Sequence, residues 1–219
     1  MLFHYHFWTP YVEETEKFYE DNGFRISQRI GKYEGDFQTF NPPLTWNDFR
    51  EKNILFRIIE TRKGTVNITF GYGKKIMFDH IGFLVSMEEH NKICDNAKKM
   101  NWEVKVGERR TFITTPYEFK IELQIHLDVI DTTTDIAEIE QLKMVTKMKG
   151  LENGLSILFS KPVKNISSVV GDEVTIKEAV IKGFLSSNNV DPNGVRIFDS
   201  FLVSKQLFLV ELTSSFVKY

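Results

Sequence analysis

Residues 78–89 run Phe78-Asp79-His80-Ile81-Gly82-Phe83-Leu84-Val85-Ser86-Met87-Glu88-Glu89. The first eight alternate as a β-strand does, with His80, Gly82 and Leu84 on one face. Ser86, followed three residues later by Glu89, is a capping box and opens a helix whose apolar stripe is Ile93, Ala97 and Met100. Strands are predicted next at 102–106, 111–114 and 119–126. The N-terminus repeats this order. Residues 2–8 (LFHYHFW) read as a strand with Leu2, His4, His6 and Trp8 on one face. Thr9-Pro10 supplies a helix start, with threonine as cap and proline at the first helical position. Tyr11, Thr15, Phe18 and Tyr19 form one helix face, and Gly23 stops it. Strands follow at 24–30, 54–60 and 66–71, the last two joined through Arg62-Lys63-Gly64. His4 and His80 hold the same place in the two copies, a period of 76 residues. Self-similarity of this kind outranks local propensity as evidence of architecture.

The copies are interrupted and followed by less regular sequence. Residues 33–53, with Asn41-Pro42-Pro43 and Trp46, have turn chemistry and no period, and read as an irregular loop that acts as a lid. Residues 127–140 read as a polar connector. Beyond it, strands are predicted at 155–159, 195–198, 201–203 and 207–212, with a strong turn at Asp191-Pro192-Asn193-Gly194. Residues 174–184 fit either a short helix or a strand. The fold class is therefore α+β: two βαβββ modules (2–71 and 78–126) in a domain of residues 1–128, then a β-rich C-terminal extension, 129–219. Phe159, Phe198, Phe201, Phe208 and Phe216 make the extension rich in large apolar side chains. Such residues need a partner surface. They are expected to cover the first domain or to complete a homodimer.

Composition narrows the function classes. The chain has 219 residues, 42% hydrophobic and 26% charged, with a net charge of −2. Disorder is excluded on that balance, and no basic patch suggests nucleic acid. Cys94 is the only cysteine, so neither an intrachain disulfide nor a cysteine-based zinc site can form. No apolar run approaches the ~18–20 residues of a membrane span. The N-terminus, neither basic nor long and apolar, does not read as a signal peptide, and a soluble cytoplasmic protein is expected. All five histidines (His4, His6, His80, His90 and His126) fall in the first 126 residues.

Each module's helix is expected to cover one side of its first strand, which turns His4 and His80 towards a shared concave face. On the last strand of the second module, Glu122, Gln124 and His126 alternate with Ile121, Leu123 and Ile125 and face the same concavity. A glutamate there is costly unless paired or bound to a cation. Two imidazoles, one carboxylate and open positions describe a catalytic-type divalent metal site, suited to Fe(II), Zn(II) or Mn(II).

The sequence resembles the vicinal oxygen chelate superfamily, which includes glyoxalase I, bleomycin- and fosfomycin-resistance proteins and extradiol dioxygenases. The resemblance is carried by His4 and the run Glu16-Lys17-Phe18-Tyr19-Glu20-Asp21-Asn22-Gly23-Phe24, by residues 79–85, and by Ile121-Glu122-Leu123. It covers about residues 1–128. It implies a cup-like sheet with a metal held by His4, His80 and Glu122. Where many members place a fourth ligand, this chain offers Asn67, Thr69 and Gly71. The family's Asp-Pro-Asp-Gly-like turn is here Thr115-Pro116-Tyr117-Glu118. In the extension, Asp191-Pro192-Asn193-Gly194 and the later Leu209-Val210-Glu211-Leu212 echo a module ending, so one reading of the tail is a degenerate third module.

The implied function is a metal-dependent lyase or dioxygenase acting on a small molecule with adjacent oxygen atoms. His6 and His126 are the candidate proton-transfer groups. The alternative is a metal-free small-molecule binding protein of the bleomycin-resistance type. His90 reads as a surface residue, Cys94 as a core residue, and Arg109-Arg110 as a solvated pair rather than an anion site.

Overall fold

The computed structural model describes residues 1–131, 137–185 and 189–200. The first module comprises β1 (Leu2–Thr9), α1 (Val12–Asp21), β2 (Arg25–Tyr33), β3 (Asp36–Thr39), β4 (Leu55–Lys63) and β5 (Val66–Tyr72). The second comprises β6 (Met77–Leu84), α2 (Met87–Lys99), β7 (Glu103–Val106), β8 (Thr111–Thr114) and β9 (Lys120–Gln124). Their strands join in one nine-stranded sheet of order β3-β2-β4-β5-β1-β6-β9-β8-β7. The two first strands, β1 and β6, run antiparallel at its centre. Each is flanked by the last strand of its own module, parallel to it.

The register reproduces the 76-residue period. His4 pairs with Gly82 and His6 pairs with His80. Adding 76 to one member of either pair and subtracting it from the other returns the second pair. The two modules are thus related by a local twofold axis through the β1–β6 seam. The capping box forms as predicted, the Ser86 hydroxyl accepting from the Glu89 amide at 3.1 Å. Gly23 ends the first helical segment with φ +83°, a conformation that a side chain disfavours.

Three local expectations are corrected. Pro10 lies outside α1, whose N-cap is Tyr11; Thr9 accepts the Tyr11 amide through its side chain instead. Tyr11 is exposed, and Glu16 takes its place on the buried face. Residues 33–53 are not a lid over the concave face. Residues 36–39 add an edge strand to β2, and a 3₁₀ turn, Trp46–Phe49, packs Phe49 against Phe40 and Phe56. The buried Arg29 guanidinium fastens this insertion by donating to the Phe40 and Leu44 carbonyls while pairing with Glu16 at 2.6 Å.

The extension forms β10 (Glu138–Thr146), α3 (Leu151–Phe159), β11 (Ile166–Val170), β12 (Thr175–Lys182), β13 (Asn189–Val190) and β14 (Arg196–Phe198). Residues 155–159 are therefore helical, not a strand. Leu151, Leu155 and Leu158 recur at i, i+4 and i+7 and are all fully buried, a stripe that five residues taken alone do not reveal. Within residues 174–184, Thr175–Lys182 is strand. The strands predicted at 201–203 and 207–212, with Phe201, Phe208 and Phe216, lie outside the described residues.

The second sheet has the order β11-β10-β12-β14-β13. Its centre repeats the arrangement of the first: β10 and β12 run antiparallel, each flanked by a parallel strand. It packs on the apolar side of the first module pair. Phe159 meets Phe83 with ring centroids 4.6 Å apart, and Phe184 lies against Phe18 and Phe24. Tyr19 donates to the buried Asp191 carboxylate at 3.1 Å, and Lys63 to the Gly183 carbonyl at 2.7 Å. Among the described residues no helix is long and apolar enough to cross a membrane.

Candidate metal centre

Strand alternation sends Tyr5, Phe7, Ile81, Ile121 and Leu123 into the core and leaves His4, His6, His80 and Glu122 on the opposite face. Those four are nonetheless buried, each 5% exposed or less. Gly82 permits the closest approach. A Cβ on it would stand 2.8 Å from the His4 Cβ, so the His4 ring can lie across the seam only because that side chain is absent.

His4 Nδ1 lies 2.8 Å from the Asn67 carbonyl oxygen. A carbonyl only accepts, so Nδ1 carries the proton and Nε2 presents its lone pair. His80 Nδ1 lies 2.7 Å from Asp79 Oδ2, which fixes the same tautomer in the neutral ring. The two Nε2 atoms are 3.0 Å apart. Glu122 Oε2 completes the set 3.1 Å from His80 Nε2, at ion-pair distance but without the geometry of a hydrogen bond. Ligand atoms of His4, His80 and Glu122 all fall within 4.8 Å of one another. Gln124 donates to the other Glu122 oxygen at 3.1 Å.

The electrostatics favour a cation. Burial drives the His4 pKa down to about 4, so this ring is neutral at pH 7. His80 is raised: burial opposes its charge, but the Asp79 and Glu122 carboxylates outweigh it. Glu122 is held down at about 2, because the His80 ring and the charges of His4, His80 and Arg110 overcome its desolvation. An ionised carboxylate and two convergent imidazole nitrogens in a buried site are the donor set a divalent ion satisfies.

Four of the five buried side-chain polar atoms left unpartnered among the described residues belong to this cluster and its walls: His6 Nε2, Arg62 Nε, Glu122 Oε2 and Gln124 Oε1. Buried polar groups are normally satisfied, and a concentration of exceptions points to a polar ligand or ion. A cavity of about 400 Å³ opens over the cluster, walled by Gln28, Glu60, Arg62, Thr69, Arg109 and Arg110 among others.

The structure thus brings together the three expected ligands. His6 stacks on His80, ring centroids 5.0 Å apart, with its Nδ1 2.6 Å from Thr69 Oγ1. Under the local twofold His6 corresponds to Gly82, and Thr69 to Glu122, because each pair is matched across its own ladder. The position that would mirror Glu122 is therefore a hydroxyl, and the donor set is asymmetric. His126 is not brought to the cluster. β9 ends at Gln124, the chain turns into a 3₁₀ segment, and His126 is exposed at its start. The expectation that it shares the face of Glu122 is corrected: alternation holds only while the strand continues. Arg109, paired with Asp128 at 2.6 Å, and Arg110 both line the cavity while remaining exposed. Asp79 and Lys120 are the neighbours that the motif did not single out by role.

A scan against protein-family models and a search of curated proteins both find no match. Solved structures do match. Homoprotocatechuate 2,3-dioxygenase from Arthrobacter globiformis aligns with a TM-score of 0.56 at 11% identity, covering 91% of this chain and 79% of that one. For 2,2',3-trihydroxybiphenyl 1,2-dioxygenase from Sphingomonas wittichii the values are 0.61, 9%, 90% and 88%. The chain shares its fold with these dioxygenases. A variant of 4-hydroxymandelate synthase from Streptomyces coelicolor also shares it, with a TM-score of 0.55 at 9% identity over 82% of this chain and 70% of that one. The cluster described here sits at the seam of the first two modules.

Proposed function

We propose that the chain is a metal-dependent enzyme of dioxygenase or lyase type acting on a small molecule with adjacent oxygen atoms, with His4, His80 and Glu122 holding a divalent Fe, Mn or Zn ion. The observation that carries this is the 3.0 Å approach of two Nε2 atoms beside a buried carboxylate oxygen that lacks a hydrogen bond. Bound there, the ion would act as a Lewis acid that polarises the substrate's oxygens. Three protein ligands leave positions open for a bidentate substrate.

The remaining roles belong to the protein. His6 holds its Nε2 unpartnered and buried beside His80, placed to take or return a proton, while Thr69 fixes its ring. Arg110 lies 3.8 Å from Glu122 and lines the cavity, where it orients an anionic substrate group. Residues 1–128 are the unit that holds the ion, and the described residues of the 129–219 extension back it. The antiparallel β10–β12 centre and the Asp191-Pro192-Asn193-Gly194 turn before β14 support reading that extension as a degenerate third module.

The test is metal content with turnover. The protein, loaded in turn with Fe(II), Mn(II) and Zn(II), should retain one ion per chain and lose it in His80→Ala and Glu122→Ala. Oxygen uptake should then be measured with a panel of catechols, and His6→Ala should lower turnover without lowering metal content. No retained ion in the wild type overturns the proposal in favour of a metal-free binding protein, and full retention in both ligand variants overturns the assignment of His80 and Glu122 as ligands.

A further inference from the structure

The β1–β6 seam carries two register shifts. On β1, Phe3 is the extra residue between Leu2, opposite Phe83, and His4, opposite Gly82. On β6, Asp79 is the extra residue between Phe78, opposite Phe7, and His80, opposite His6. Positions 3 and 79 are 76 residues apart, so the two bulges are mates under the local twofold. A bulge suspends strict alternation and re-aims a side chain. Each bulge sets its extra residue beside the histidine that follows it.

The two modules fill this shared position differently. Phe3 stacks against His4, ring centroids 5.4 Å apart, and the His4 Nδ1–H faces two neutral acceptors of Asn67, its backbone carbonyl at 2.8 Å and its Oδ1 at 3.2 Å. Asp79 instead reaches His80 Nδ1 at 2.7 Å, while its second oxygen accepts from Lys120 Nζ at 2.9 Å. Lys120 stands directly opposite His80 in the β6–β9 ladder. The duplication thus contains its own control: one imidazole backed by a neutral acceptor, the other by a carboxylate tethered by an ammonium group.

We propose that Asp79, set by the β6 bulge and tethered by Lys120, is the positioning residue of the metal site. It holds His80 as the Nδ1–H tautomer and makes it the stronger donor of the two imidazoles. A carboxylate partner orients a ligating imidazole and raises its basicity. The inference rests on the metal site proposed above and extends it to a residue that does not touch the ion.

The test uses Co(II) alone as probe, its affinity read by competition with a chromophoric chelator and its environment by visible absorption. Asp79→Leu removes both acceptor and charge and should weaken Co(II) binding by about 10- to 100-fold. Asp79→Asn keeps an acceptor and loses the charge. It should recover part of that loss and shift the cobalt bands, which a merely structural role would not do. Wild-type affinity and spectrum in both Asp79 variants, with binding still abolished in His80→Ala, overturn this inference and leave the metal site standing. A wild-type protein that binds no Co(II) overturns both.

Discussion

Gly82 pairs with His4 across the β1–β6 seam, and the missing side chain of the one is the space occupied by the other. A Cβ at position 82 would lie 2.8 Å from the His4 Cβ and 3.0 Å from its ring Cδ2. Gly82→Ala is therefore expected to fold, since strand geometry accepts alanine, but to push the His4 ring out of line. Co(II) affinity should fall at least about tenfold, as for loss of orientation at a ligand. Chelator competition checks this, and unchanged affinity would sink it.

Asp191 gives the fold a pH dependence with a defined sign. It is fully buried, and burial holds its pKa up at about 6 against the hydrogen bonds from Val195, Tyr19 and Asn193. A carboxyl raised above its unfolded value of 3.8 binds protons more tightly in the folded state. Its contribution is complete below about pH 4 and is lost as pH rises through about 6. The loss is about 3 kcal/mol at one pKa unit per 1.36 kcal/mol. Asp191→Asn keeps an acceptor for the two amides and removes the titration. Denaturant melts at pH 4 and pH 7 should show the wild type losing stability relative to this variant; parallel curves would refute the assignment.

The Glu16–Arg29 pair is buried and bidentate, with contacts of 2.6 and 2.7 Å, and Trp46 Nε1 donates to the same carboxylate at 2.8 Å. Glu16→Ala strands a buried guanidinium and should cost about 3–5 kcal/mol. The double variant Glu16→Leu/Arg29→Met should cost less than Glu16→Ala alone, because no charge is left unpaired. Thermal denaturation of the set decides.

The extension covers Phe83, Phe18 and Phe24 through Phe159 and Phe184. A chain ending at residue 128 uncovers this apolar face and should aggregate or bind a hydrophobic dye. A monodisperse, dye-silent fragment on size-exclusion chromatography would show that the first two modules stand alone.

Much of the site was legible because two of its determinants are periodic. Side-chain alternation places His4, His80 and Glu122 on the face away from the helices, and the 76-residue repeat brings the first strands to one axis. Neither needs knowledge of distant contacts. Where the period stops, the reading fails: His126 lies past the end of β9, and extending alternation to it put an exposed residue in the site. The five residues 155–159 were too few to show a helical stripe that begins at Leu151.

The sequence by itself determined the duplicated βαβββ order and the shared strand face of His4, His80 and Glu122, since each follows from local spacing. Only the tertiary structure decided which side chain backs each imidazole. Regular alternation puts Asp79 on the face opposite His80. The bulge that reverses this exists only because β6 must pair with β1, more than 70 residues away, in a register that local sequence does not encode. The same β1–β6 pairing sets Gly82 against His4, and the parallel β6–β9 pairing brings Lys120 beside Asp79.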